Sequence, residues 1–183
     1  WKNLREAGRV LLDKFDGKFI NLLEEAGYDA IKIVELVVKY FPSFLDKSSL
    51  NGKEIIFLKR AQIVANDLSY LSIDGKKLRI KNLDQLTAFA DYKIPQLLRG
   101  LSIISYSKEL AEKVDSGVHI EKGSREEIEI RSATIWAIEL IKKELDNRYT
   151  SSQIDNSLWF LSQKDKEAGI ELKPYHRTRT IFY

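Results

Sequence analysis

The chain has 183 residues, 44% apolar and 31% charged, with 30 basic side chains against 27 acidic ones, a length suited to one compact domain with a real core. A formal charge of +3 argues against sequence-blind nucleic-acid binding by dense positive charge. The lack of cysteine excludes disulfides, thiolate catalysis, iron–sulfur clusters and cysteine-built zinc sites.

His119 and His176 are the only histidines, too few for a multi-histidine metal centre. No apolar run approaches the roughly 20 residues of a bilayer span, and no signal or transit peptide pattern precedes the first helix. The chain opens on Trp1 and contains no methionine. From these features a soluble cytoplasmic protein is expected, with no metal and no membrane contact.

No Pro-, Ser- or Gly-rich linker and no internal repeat divides the sequence, and its periodicity is helical almost throughout. Ile31, Val34, Val37, Val38 and Phe41 predict a helix that Pro42 ends. A second helix is predicted from about Glu54 to Leu71, and a third from near Leu83 to Leu101 with Pro95 inside it. Ser124, with Glu127 three residues on, forms a capping-box pattern. It opens a fourth helix through Trp136 and Leu140 to about Asn147. A last helix spans about Gln153 to Lys166, and only Leu78–Ile80 hints at an extended segment. The expected fold is all-α, a single helical domain over residues 1–183 with at most one short strand.

Lys59 and Arg60 are set among Ile55, Ile56, Phe57, Ile63 and Val64 on a predicted helix that is apolar almost all round. A buried cation needs a partner, so a carboxylate is expected to approach from elsewhere. Alternatively both side chains snorkel to solvent. Asp91 is a candidate partner, beside Phe89 and Tyr92. Pro95 cannot donate to the carbonyl of residue 91, so a kink is expected at the aspartate. Such a kink can expose a carboxylate for chemistry or be purely structural.

The tail Tyr175-His176-Arg177-Thr178-Arg179-Thr180 gathers two guanidiniums, an imidazole and two hydroxyls, a set that suits a phosphate. Its alternative is a frayed terminus, against which Ile181-Phe182-Tyr183 argues for docking. Glu127 and Arg131 read as a helix-surface salt bridge. Asp155 and Trp159 share a helix face and either flank a polar ring ligand or, for Trp159, belong to the core. His119 reads as an exposed loop residue. Lys142, Lys143 and the stretch Lys164 to Lys166 read as solvated faces. No dinucleotide, Walker-type or zincin motif occurs.

Several separated strings resemble one family. Phe57-Leu58-Lys59-Arg60-Ala61-Gln62-Ile63 and Leu86-Thr87-Ala88-Phe89-Ala90-Asp91-Tyr92-Lys93-Ile94-Pro95-Gln96 are similar to the queuosine salvage protein family. So are Tyr106-Ser107, Gly123-Ser124, Glu129-Ile130-Arg131, Asp155 with Leu158-Trp159, and His176-Arg177 with the terminal Tyr183. The likeness runs from roughly Val10 to Tyr183. Lys93 stands where members often have arginine, and Ala88 where they often have methionine. Longer members carry a further region ahead of the point where this chain begins, including aromatics that help enclose the base.

The resemblance implies an α-helical N-glycosidase with a core similar to helix-hairpin-helix DNA glycosylases. It would release queuine from queuosine 5′-monophosphate for reuse in tRNA modification, without a cofactor. The family's catalytic lysine and aspartate fall on Lys59 and Asp91. Asp91 is then expected beside the anomeric carbon, with Lys59 keeping it ionised. Asp155, or else Glu129, is expected to meet the cationic amine of the base. His176, Arg177 and Arg179 are expected at the 5′-phosphate, and Arg60, Phe89, Tyr92 and Trp159 elsewhere around the substrate. The partner is thus a small nucleotide rather than duplex nucleic acid. Two other readings stand beside it: a nucleic-acid glycosylase, which would need a basic track, and a noncatalytic nucleotide- or tRNA-binding module.

Overall fold

A computed structural model describes residues 1–73, 75–164, 169 and 172–183. Its elements in chain order are α1 (Lys2–Phe15), α2 (Phe19–Glu25), α3 (Ala30–Tyr40), β1 (Lys47–Leu50), β2 (Lys53–Ile56), α4 (Lys59–Leu68), β3 (Ser72–Ile73), β4 (Lys76–Lys77), α5 (Lys93–Gly100), α6 (Lys108–Asp115), α7 (Arg125–Glu144) and α8 (Ser151–Gln163). The protein is mostly helical, as expected. No described helix is long and apolar enough to cross a membrane.

The chain divides into two compact units whose segments interleave along the sequence. One comprises residues 1–47, 58–86 and 182; the other comprises 48–57, 87–181 and 183. This interleaving leaves no linker to be read from composition.

In the first unit α3 packs against α4. Asp29 starts α3 by accepting the amides of Ile31 and Lys32. These bonds hold its carboxyl below the usual range, the Lys32 amide contributing most. The stripe Ile33, Val34 and Val37 joins Phe15, Leu22, Leu23, Ala61, Ala65 and Leu68 in one core. In the second unit α5, α7 and α8 pack on one another. Ala88, Ile94, Leu98, Ala137, Ile138 and Ile154 form one core there. Leu110, Val114, Ile120 and Ile130 form another.

Four sequence expectations are corrected. The helix expected from about Glu54 begins at Lys59, because β1 and β2 pair ahead of it. Their connection is Asn51-Gly52, both residues at positive φ (50° and 75°), a pair that favours the left-handed turns of two-residue hairpins. Ile55 and Ile56 therefore lie on a strand, and Ile56 is exposed. With β3 paired antiparallel to β4 as well, the described residues hold four short strands where at most one was expected, and Leu78–Ile80 is not among them. The helix expected from Leu83 to Leu101 forms only over Lys93–Gly100, after a 3₁₀ turn at Leu83–Gln85. Pro95 is the third residue of α5, where its missing N–H deprives the helix of nothing. No proline kink forms at Asp91; a helix starts there instead.

The other three expected helices, α3, α7 and α8, keep their places. Ser124 caps α7 by accepting the amide of Glu127. Thr150 opens α8 with a reciprocal capping box to Gln153. Lys166 lies outside the described residues.

Candidate active site

The segment Phe89–Asp91 is buried, and three helices of the second unit fasten it. Asp155 of α8 accepts the Phe89 amide at Oδ2, 2.9 Å away. Arg131 of α7 donates from Nε to the Ala90 carbonyl at 3.1 Å. Asp91 Oδ1 accepts the amides of Lys93 (2.7 Å) and Ile94 (3.2 Å), which begin α5. The carboxylate thus sits on the positive end of that helix. One residue after another, the chain is fixed through an N–H, a carbonyl and a side chain.

Arg131 is itself enclosed. Its guanidinium lies 3.9 Å from the Phe57 ring centroid and 4.8 Å from that of Tyr183. Nη1 meets Glu127 Oε1 at 3.3 Å. Glu127 Oε1 also accepts the Tyr183 hydroxyl at 2.9 Å, and Oε2 accepts the Gly123 amide at 3.1 Å. Both charged side chains are buried, so the expected surface salt bridge is an interior one. Nothing in an i, i+4 spacing distinguishes the two cases. The usable signal was position: Glu127, Arg131, Thr134 and Ile138 continue one buried stripe of α7.

His176 adjoins this network, with Nε2 3.4 Å from the Tyr183 oxygen. The proton of Tyr183 is committed to Glu127, so the tyrosine oxygen accepts and His176 Nε2 carries the hydrogen. Nδ1 is then a lone-pair acceptor, and it has no hydrogen-bond partner among the described residues. Burial lowers the pKa of His176 to about 4; the nearby Asp91 charge opposes this and Arg131 reinforces it. The ring is neutral at pH 7. Burial and the Glu127 charge together push the Tyr183 hydroxyl upward, so it remains a donor.

The other expected residues are more dispersed. Along the tail burial alternates: His176 is buried, Arg177 and Arg179 are exposed, and Thr178 between them is half-buried. His176 therefore does not share a side of the tail with the two arginines. The tail is tied down by Ile120 N–H to the Arg177 carbonyl (2.8 Å) and by the Arg179 N–H to His119 Nε2 (3.2 Å). His119 is exposed, as expected, but it serves as this anchor. Gly117, at φ +71°, lets the Arg177 guanidinium approach; a Cβ there would stand 3.3 Å from its Cζ.

Tyr92 is partly exposed and packs on Tyr175, with centroids 4.8 Å apart. Trp159 is exposed and meets Phe160 edge-on, so it is not core. Glu129 is on the surface, paired with Arg125 at 2.6 Å.

Lys59 and Arg60 belong to the first unit. Lys59 is the first residue of α4, preceded by Leu58 in the left-handed region (φ 50°), a conformation costing a branched residue about 1–2 kcal/mol. Asp46, fully buried, holds this corner. Its carbonyl accepts the Leu58 amide (3.1 Å), and its Oδ2 accepts the Lys59 amide (3.4 Å). Arg60 stacks on Phe44, 4.4 Å from the ring centroid. Both side chains are half-buried rather than enclosed in an apolar helix. The sequence reading missed Asp46. The described residues hold no cluster of carboxylates and histidines suited to a metal.

A protein-family model described as "Queuosine salvage protein" matches residues 1–183. A Sphaerobacter thermophilus protein named queuosine 5′-phosphate N-glycosylase/hydrolase is 41% identical over 181 residues, covering 98% of this chain and 56% of the relative. Proteins of the same name from Mus musculus and Schizosaccharomyces pombe are 37% and 32% identical. They too cover 98% of this chain, and 56% and 55% of their own lengths. The chain thus spans little more than half the length of the curated relatives it matches. With a whole-chain model match and the quoted strings in order, the chain belongs to the queuosine salvage protein family.

Proposed function

We propose that this chain carries the catalytic residues of an N-glycosidase that hydrolyses queuosine 5′-monophosphate to queuine and ribose 5-phosphate in the cytoplasm. Its helical core is read as similar to that of helix-hairpin-helix DNA glycosylases. The relatives' shared name suggests the substrate. The observation that carries the reading is the fixation of Asp91 by three helices, beside a neutral buried histidine.

The base is a 7-deazaguanine, so a leaving group activated by protonation at N7 is not available. Catalysis must stabilise the oxocarbenium-like sugar and the departing anion. Asp91 has Oδ1 engaged with the first turn of α5, and its Oδ2 is assigned to the anomeric carbon. Being fixed beforehand, the carboxylate needs no reorganisation as positive charge develops. Lys59, the first residue of α4 after the left-handed Leu58, is the second side chain assigned to the reaction.

The cationic amine of the base is assigned to Asp155 rather than Glu129, which Arg125 already neutralises at the surface. The 5′-phosphate is assigned to Arg177 and Arg179, since a neutral His176 with its N–H turned to Tyr183 offers it little. Phe89, Tyr92, Trp159 and Arg60 complete the proposed set. Incubation with queuosine 5′-monophosphate followed by mass spectrometry tests the reading. Free queuine is expected, and its absence at high enzyme concentration rejects the assignment.

A further inference from the structure

Tyr183 reaches two buried charged side chains of α7. Itself half-buried, it donates its hydroxyl to the buried Glu127 and lays its ring on the buried Arg131. Arg131 in turn holds the Ala90 carbonyl, one peptide before Asp91. We propose that Tyr183 and Arg131 are positioning residues for Asp91, acting through Glu127 and the Ala90 carbonyl. The proposal rests on the catalytic reading of Asp91 and adds how that carboxylate is aimed.

The geometry leaves little slack. A guanidinium offers donors in a fixed plane. Here Nε goes to Ala90 and Nη1 to Glu127, so turning the plane breaks both bonds at once. Phe57 and Tyr183 each cover the guanidinium, and Glu127 sets its position in the plane. Glu127 is placed by three donors: Gly123 N–H, Arg131 and the Tyr183 hydroxyl. Removing the hydroxyl leaves a buried carboxylate short of one donor. Glu127 and Arg131 then readjust, and the Ala90–Asp91 peptide moves with them. A shift well under an ångström at a reacting carboxylate is enough to slow a reaction that depends on alignment.

The test uses Tyr183→Phe, which keeps the ring, and Arg131→Lys, which keeps the charge but loses the planar fork. Each is measured for kcat and KM on queuosine 5′-monophosphate. Amide hydrogen exchange is followed at Lys93 and Ile94, the two donors to Asp91, with Leu110 in α6 as the reference. For Tyr183→Phe we expect kcat to fall about tenfold with KM changed less than about twofold. Exchange at Lys93 and Ile94 should quicken about tenfold more than at Leu110.

A role confined to stability would speed all three amides together, and that result overturns the proposal. So does unchanged exchange at Lys93 and Ile94 in both variants, whatever happens to kcat. If the parent chain shows no hydrolysis, the catalytic reading fails, while the exchange comparison still decides whether Tyr183 and Arg131 hold Asp91.

Discussion

Glu127 and Arg131 face each other one turn apart on α7, 3.3 Å between oxygen and nitrogen, and neither side chain reaches solvent. Buried ion pairs are costly to desolvate and costlier to break, because the surviving charge is left without its partner. This pair is bound to Gly123, Ala90 and Tyr183 as well.

Glu127→Gln should therefore destabilise the protein by about 3–5 kcal/mol in urea unfolding. Replacing both residues, Glu127→Leu with Arg131→Met, should cost less than that single change. Removal of the surface partner, Glu129→Ala, should leave the unfolding midpoint where it was. Equal effects of Glu127→Gln and Glu129→Ala would contradict the interior placement.

Stability should also depend on pH through His176. Its folded pKa is lowered to about 4, against about 6.5 in an unfolded chain. Between these values the unfolded state binds more protons, so stability rises with pH. The contribution is fully present above about pH 6.5 and is lost as pH falls toward 4, on the order of 3 kcal/mol in all. Between pH 7 and pH 5 the parent chain should lose about 2 kcal/mol that His176→Gln does not. Parallel pH profiles for the two proteins would remove this role.

How much of this was legible in the sequence depends on what each pattern encodes. The stripe from Ile31 to Phe41 and the cap at Ser124 state helices locally, and those helices form. Apolar residues around Lys59 read as helix because periodicity was weighed above the Asn51-Gly52 turn, which forces a hairpin just ahead. Pro95 read as a kink because the start of its helix was misplaced by some ten residues. Asp91 was singled out for the wrong local reason: it caps a helix rather than breaking one. Asp46 was missed, and Glu127 and Tyr183 were named without the interior bond that joins them. Their roles come from partners 56 residues away for Glu127–Tyr183 and 13 for Asp46–Lys59, beyond the reach of i, i+4 rules.

The phosphate assignment makes its own demand. Arg177→Ala should raise KM for queuosine 5′-monophosphate more than for the nucleoside. Gly117→Ala should act in the same direction, because its Cβ would press on the Arg177 guanidinium from a left-handed residue. An equal change for nucleotide and nucleoside would place the phosphate elsewhere.

The central claim is that Asp91 does chemistry as well as capping α5, and one substitution separates the two. Asparagine caps helices about as well as aspartate, so Asp91→Asn should keep the fold and the melting temperature while losing the charge opposite the oxocarbenium ion. Queuine release from queuosine 5′-monophosphate by Asp91→Asn, measured beside the parent chain, should fall by at least about a thousandfold. Undiminished release by a folded Asp91→Asn protein would contradict the account.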